Sequence, residues 1–176
     1  MSSRNLIIKS AIDVISEEGI QNYSLAKVAK KAGMTKAAIF YYFKNKEELT
    51  KSLITYTIDA YNEILMKEYE KRKNHSKIPF TEAYIAGNLR QLEDADLIGL
   101  HAALLASVIT QDVDNEEWNA VYDEDFSRLA PEIGPEKSHF VRYTIDGIWH
   151  SHILGIKQAD TQKVVEELLD FVSEGK

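Results

Sequence analysis

The 176-residue chain is predicted to be all-α, a small three-helix module at the amino end followed by a helical bundle, about nine helices in all. Three observations predict this. Apolar residues recur at three- and four-residue spacing through almost the whole length. Only three prolines occur, at positions 79, 131 and 135, where they act as punctuation between periodic stretches. A hydrophobic content of 44% over this length suffices to bury a real core.

The first helix is the amphipathic stretch IIKSAIDVISEEG, expected over about 5–18. Ser24 can then accept a hydrogen bond from the free amides of a second helix, whose Leu25, Val28, Ala29 and Ala32 lie at helical spacing, so it runs over about 25–32. Gly33 suits the left-handed position that ends a helix, and Thr35 offers a hydroxyl cap to the third, over about 36–43. There Ile39 and Phe43 fall one turn apart and should face inward, leaving Lys36, Ala37, Ala38 and Tyr41 on the other side. Such a face is small and basic. Its alanines let a helix backbone approach base edges, and Lys36 can reach a guanine edge or a phosphate oxygen, so the corner formed by the second and third helices suits a DNA major groove.

Asn45, followed three residues later by Glu48, is a capping-box variant that starts a long fourth helix over about 46–73. An ammonium on Lys46 beside that positive helix end suits a phosphate clamp. Along the helix Leu49, Leu53, Tyr56, Ala60, Ile64 and Tyr69 mark an apolar side, and the charged KEYEKRKNHSK is expected to reach solvent. Five more helices are expected over about 80–93, 96–110, 115–129, 136–157 and 161–173.

Charge divides the chain in the same place. Residues 1–51 carry nine Lys and Arg against five Asp and Glu, a balance of +4, whereas the whole chain stands at −7, so the rest carries −11. A basic end on an acidic body turns that end toward a polyanion and makes nucleic-acid affinity local and salt-sensitive. Lys27 joins the candidate DNA contacts on this ground.

The preceding helix, the Ser24 cap, the stretch AGMTKAAIFYYF and the closing KNKEEL together resemble the DNA-binding domain of the tetracycline-repressor (TetR) family of bacterial regulators, over residues 4–50. The resemblance implies that Ser24, Thr35, Lys36, Tyr41, Tyr42 and Lys46 approach DNA. Phe40 stands where such regulators often carry tyrosine, and Ala37 and Ala38 where they often carry glycine and threonine. The implied organisation is a helix-turn-helix DNA-binding domain over 1–47 and a helical ligand-binding and dimerisation domain over 48–176. The implied activity is that of a dimeric regulator, a repressor released from a palindromic operator by a small-molecule effector.

A pocket in the body is likewise implied by the resemblance. His101 lies on the same apolar stripe as Leu97, Leu104, Leu105 and Val108, which suits either a core histidine bonded to a backbone carbonyl or a ligand contact. Tyr84, Trp118, Tyr122, Trp149 and His152, from other helices, are the candidate walls beside it. Gly147, Ser151 and Gly155, spaced four apart, form a narrow ridge of small side chains. With Val165, Leu168, Leu169 and Val172 of the last helix this ridge is the candidate two-fold interface, because a helix-turn-helix reader needs two heads to span successive half-sites.

Other classes fare worse. Five histidines are the best raw material for an enzyme, yet His150 and His152, two apart, point to different sides of a helix, and no HExxH, phosphate-cradling glycine loop or serine elbow occurs. No metal and no cofactor is expected. There is no membrane-spanning run, and Lys9 and Asp13 interrupt the apolar start MSSRNLIIKSAI, so no signal peptide is expected. The absence of cysteine fits a cytoplasmic protein. A regulator controlled by a protein partner docking on the acidic bundle is the remaining alternative.

Overall fold

The computed structural model describes residues 2–109, 114–156 and 160–173, and all its regular elements are helical. In chain order these are α1 (Ser3–Glu18), a single 3-10 turn (Ile20–Asn22), α2 (Leu25–Ala32), α3 (Lys36–Tyr42), α4 (Lys46–Arg72), α5 (Pro79–Gln91), α6 (Ala95–Ile109), α7 (Glu116–Ile133), α8 (Pro135–Ile153) and α9 (Thr161–Ser173). They fall into two compact units, Met1–Asp59 with Ala95–Glu117, and Ala60–Asp94 with Trp118–Lys176. α4 is one unbroken helix whose first half belongs to the first unit and whose second half belongs to the other.

Within the first unit α1 packs on α2 and α6, and α2 packs on α3. Ile7, Ala11, Val28, Ile39, Phe43, Leu49, Leu53 and Leu104 are essentially sealed from water. Burying side chains such as Ile39 and Phe43 contributes about 1.5–3 kcal/mol each, enough to fix which face of the short α3 turns inward. Its other face is thereby committed to solvent. α6 is apolar on nearly all sides, so periodicity does not choose its inner face. Leu100, Leu104 and Ser107 are buried, whereas Leu97, His101, Leu105 and Val108 are only half-buried.

Within the second unit the core gathers Tyr61 and Leu65 of α4, Phe80, Ala83 and Ile85 of α5, Leu129 of α7, Val141, Ile145 and Trp149 of α8, and Leu168 and Val172 of α9. At Gly87 a Cβ would lie 3.4 Å from the Leu65 Cα, so the missing side chain lets α5 ride against the α4 backbone. The charged end of α4 departs from expectation. Glu68 is buried, its carboxylate meeting Lys71, Arg72 and Arg90 at 2.5 Å each. Burial raises that carboxyl, but the three cations outweigh it and hold it down at about 2. Tyr56, expected on the apolar side, is exposed.

Two helix ends also differ from the sequence pattern. Pro131 lies inside α7, which continues to Ile133. So near a terminus the missing amide of a proline removes only one late bond. The extension delivers Glu132, whose carboxylate accepts from the Phe80 and Thr81 amides at 2.9 and 2.8 Å and caps α5. α8 stops at Ile153, where Gly155 adopts φ +61° and the Gly155 and Ile156 amides donate to the His152 and Ser151 carbonyls, a Schellman ending. Residues 110 and 157, to which the pattern extended two helices, lie outside the described residues.

Candidate nucleic-acid interface

The local bonds that hold α3 are the ones its sequence calls for. The Ser24 hydroxyl accepts from the Lys27 amide at 3.3 Å, and the Thr35 hydroxyl accepts from the Ala38 amide at 3.2 Å. Each hydroxyl keeps its own proton for a further acceptor, such as a phosphate oxygen. Between the helices Gly33 sits at φ +65°, with the Gly33 and Met34 amides donating to the Lys30 and Ala29 carbonyls. Asn45 accepts from the Glu48 amide at 2.7 Å, and Glu48 reaches back to the Lys44 amide at 2.8 Å, fixing the start of α4.

On α3, Lys36 and Ala37 are exposed and Ala38 is half-buried. Tyr41 is 84% exposed and meets the half-buried Tyr42 edge to face at 5.1 Å. An aromatic ring left this far in water has no packing role in the unit that carries it, which leaves it available to a partner. Phe40, passed over by the sequence pattern, is also exposed and lies under the Lys36 ammonium at 5.6 Å. Lys46 lies 5.3 Å over the buried Tyr23 ring.

The lysines sort into two groups. Lys27 and Lys31 are paired with Glu18 and Glu17 of α1 at 2.5 Å, so Lys27 comes to any phosphate with its charge already met. Lys30, Lys36, Lys44 and Lys46 have no ion-pair partner among the described residues. Lys44 was not singled out from sequence. The signal available for it was its place beside the α4 start.

The expected pocket walls are divided. Tyr84 and Trp149 are buried, Trp118 and Tyr122 half-buried and His152 exposed, all in the second unit, whereas His101 belongs to α6 of the first. Polar residues to which the sequence pattern gave no role are paired in the same unit. Tyr61 donates to Asp125 at 2.6 Å, and burial pushes the Asp125 carboxyl up to about 6. Arg142 rests 3.3 Å over the Tyr122 ring and 3.4 Å from Asp146. A cleft of about 330 Å³ in this unit lies among His75, Lys77, Glu82, Glu132, Lys137 and Val172, and none of the expected pocket walls lines it.

Of the small-residue ridge, Gly147 is exposed with open space around it and Ser151 is half-buried. Gly155 lies beyond the end of α8 and so is not on the helical ridge. On α9, Leu168 and Val172 are buried within the chain, and Val165 and Leu169 are half-buried. The exposed apolar residues of this region include Phe140, Tyr143 and Leu154, 62–66% accessible, and Ile156, with Phe171 edge-on against Phe140 at 5.5 Å. Among the described residues no helix is long and apolar enough to cross a membrane, and no group of three His, Asp or Glu is placed to hold a metal ion.

Comparison with known proteins agrees with this geometry. Residues 7–53 match the family model of the bacterial regulatory proteins of the tetR family, and residues 79–173 match a tetracyclin repressor-like C-terminal domain. The HTH-type transcriptional regulator BetI of Serratia proteamaculans is 24% identical over 157 residues, covering 83% of this chain and 78% of that protein. The fatty acid metabolism regulator protein of Bacillus subtilis is 33% identical over 66 residues, which span 38% of this chain and only 34% of that protein. Among solved structures, the multidrug binding protein EbrR complexed with imidazole superposes with a TM-score of 0.74 at 18% identity, over 95% of this chain and 88% of that one. A TetR family transcription regulator from Marinobacter aquaeolei superposes with a TM-score of 0.66 at 16% identity, over 97% and 93%. With both segments matched, and the amino-terminal one built as a helix-turn-helix, the chain belongs to the TetR family of DNA-binding transcriptional regulators.

Proposed function

We propose that this regulator is a repressor that binds a palindromic operator as a homodimer in the cytoplasm and is released by a small-molecule effector. Residues 1–47 serve as the reading head and 48–176 as the regulatory and dimerisation body. The observation that carries the reading is the outer face of α3, where the exposed Ala37 and half-buried Ala38 leave room for base edges beside an unpaired Lys36. Ser24, Thr35, Tyr41, Tyr42 and Lys46 hold phosphates around it, and Lys44 joins them as an unpaired cation. Lys27 contributes less, through its pair with Glu18.

Dimerisation is supported by the exposed apolar residues Phe140 and Tyr143 on α8 and Leu154 just past its end, with Gly147 between them, and by Phe171. Effector control is the reading that the body supports, since EbrR, a protein of similar fold, is described as multidrug binding. In this reading the chain is a regulator rather than an enzyme, and control by a protein partner is its first alternative, with a small all-helical enzyme behind it. Selection of bound genomic fragments with purified protein, followed by mobility shift, tests the proposal. A palindromic site bound by two chains is expected, with occupancy lost on adding a metabolite. No retained duplex at low ionic strength refutes it, and release by a protein alone transfers control to the partner reading.

A further inference from the structure

The outer face of α3 carries one side chain to which the phosphate reading gives no task. Phe40 is 43% exposed, on a helix whose buried side is already supplied by Ile39 and by Phe43 at its end. It follows Ala37 by three residues and Lys36 by four, so the three side chains are neighbours on the helix surface. The Lys36 ammonium lies 5.6 Å from the centre of the Phe40 ring, which ties the aromatic residue to the cation expected in the groove. Tyr41 and Tyr42, next in the chain, have hydroxyls that can donate to a phosphate oxygen. Phe40 has none, so it gains nothing from the charged backbone of a duplex. A ring needs apolar surface, and the apolar group that a base pair presents in the major groove is the C5-methyl of a pyrimidine. Thymine always carries that methyl, and cytosine carries it only when methylated.

We propose that Phe40, with the exposed Ala37 beside it, packs on that C5-methyl and makes the head a reader of 5-methylpyrimidines. The proposal rests on the reading above, in which the α3 face enters the groove, and names a specificity-determining residue on it. Ala37 suits the role because a side chain that ends at Cβ leaves the ring room to reach the methyl. An α-helix advances about 1.5 Å per residue, so Phe40 lies about 6 Å beyond Lys36, one to two base steps of about 3.4 Å. The methyl therefore belongs one or two base pairs from the position that Lys36 addresses. A cytosine there is bound weakly until it is methylated, so the same contact makes affinity depend on the methylation state of the DNA.

The test begins with selection from a pool of random duplexes by the full chain at low ionic strength. The winning duplex is then remade with each thymine in turn replaced by deoxyuridine, which removes the C5-methyl and nothing else, and affinities are read by fluorescence anisotropy. Burial of one methyl is a factor of about four in affinity, so one thymine per half-site should show a loss of about fourfold, and about 15-fold when both half-sites are changed. With cytosine at the same position, 5-methylation should recover about fourfold. Phe40→Ala should erase both differences at that position. If Phe40→Ala does not fold, Phe40→Gln, of similar reach but with a polar end, replaces it with the same expectation. A wild-type chain indifferent to every uracil replacement overturns the proposal, as does a Phe40 variant that keeps the full methyl dependence. A chain that selects no duplex at all refutes the reading head itself, and the methyl contact with it.

Discussion

Replacing Lys46 by alanine separates a phosphate contact from ordinary surface charge. Lys36, Lys44 and Lys46 have no ion-pair partner among the described residues, so in a dimer these positions place about six charges against phosphates. A log–log salt slope near −5.4 follows, at about −0.9 per neutralised phosphate, and affinity falls ~2,000-fold between 50 and 200 mM salt. Lys46→Ala removes one contact per head, so the slope should flatten to about −3.6 and the fall to ~150-fold, whatever duplex is offered. Stability should change by no more than about 1 kcal/mol, because the substitution loses only a cation–π contact with Tyr23 and alanine suits a first helical turn. Lys27→Ala is the internal contrast. Its ammonium is already committed to Glu18 at 2.5 Å, so its slope should flatten by less than half as much. Fluorescence anisotropy of a labelled operator across a salt series reads both variants. An unchanged slope for Lys46→Ala, with the melt intact, refutes the phosphate role, and equal flattening by the two lysines refutes the distinction between paired and unpaired charge.

Glu68→Gln, which leaves three cations around a neutral group, should cost about 2 kcal/mol in urea melts, less than for a fully buried pair because Lys71 and Arg90 retain access to water. The wild-type pH curve should bend twice. Glu68, held at about 2, contributes stability that is present above about pH 4.5 and lost as pH falls toward 2, whereas Asp125, raised to about 6, contributes stability present below about pH 4 and lost as pH rises through 6. Asp125→Asn should flatten the second bend, and a curve that keeps it refutes the assignment. Gly33→Ala forces a side chain into φ +65° and should cost about 1–2 kcal/mol in thermal melts, whereas a neutral result would mean that the turn between α2 and α3 can relax. A Cβ at Gly147 meets nothing within 4 Å in one chain, so Gly147→Leu should stabilise a monomer by up to about 1 kcal/mol through helix propensity, while a dimer packed there should dissociate in sedimentation.

The head was legible because its signals are local. Ser24, Thr35 and Asn45 each bond to an amide three residues ahead, Gly33 ends a helix through its own φ, and Ile39 and Phe43 take one face of a helix too short to offer another. None of these depends on distant parts of the chain. The body hides its organisation because its decisive contacts join residues far apart in sequence. Glu68 reads as one charge in KEYEKRKNHSK, and only Arg90 on the next helix shows why it is buried. Asp125 sits among the acids of α7 and is distinguished by Tyr61, 64 positions away. Aromatic residues mark candidate pocket walls in one dimension, whereas nothing in the sequence pattern sets Arg142 or Asp146 apart from other charged residues, and only the ring of Tyr122 on another helix does so. Likewise Leu168 and Val172 are apolar at the right spacing for either a core or a dimer, and periodicity cannot say which neighbour fills the space.

The same reasoning shows why lysine count is a poor guide to the DNA-facing surface. Lys27 and Lys31 of α2 reach back to Glu18 and Glu17 at the end of α1, so these two join helices that already pack together. The ammonium groups of Lys36, Lys44 and Lys46 have no ion-pair partner among the described residues, and two of them lie over aromatic rings that hold the side chain without neutralising it. Exposed ion pairs are worth about 0–1 kcal/mol, so pairing adds little to stability, but it removes most of the attraction a lysine offers to a phosphate. Absence of an acid therefore distinguishes a contact from a staple. Substituting Glu18, and so releasing Lys27, should turn one into the other: the salt slope of Glu18→Gln should steepen by up to about one unit per head, and a slope that stays at the wild-type value would mean that Lys27 faces away from the duplex.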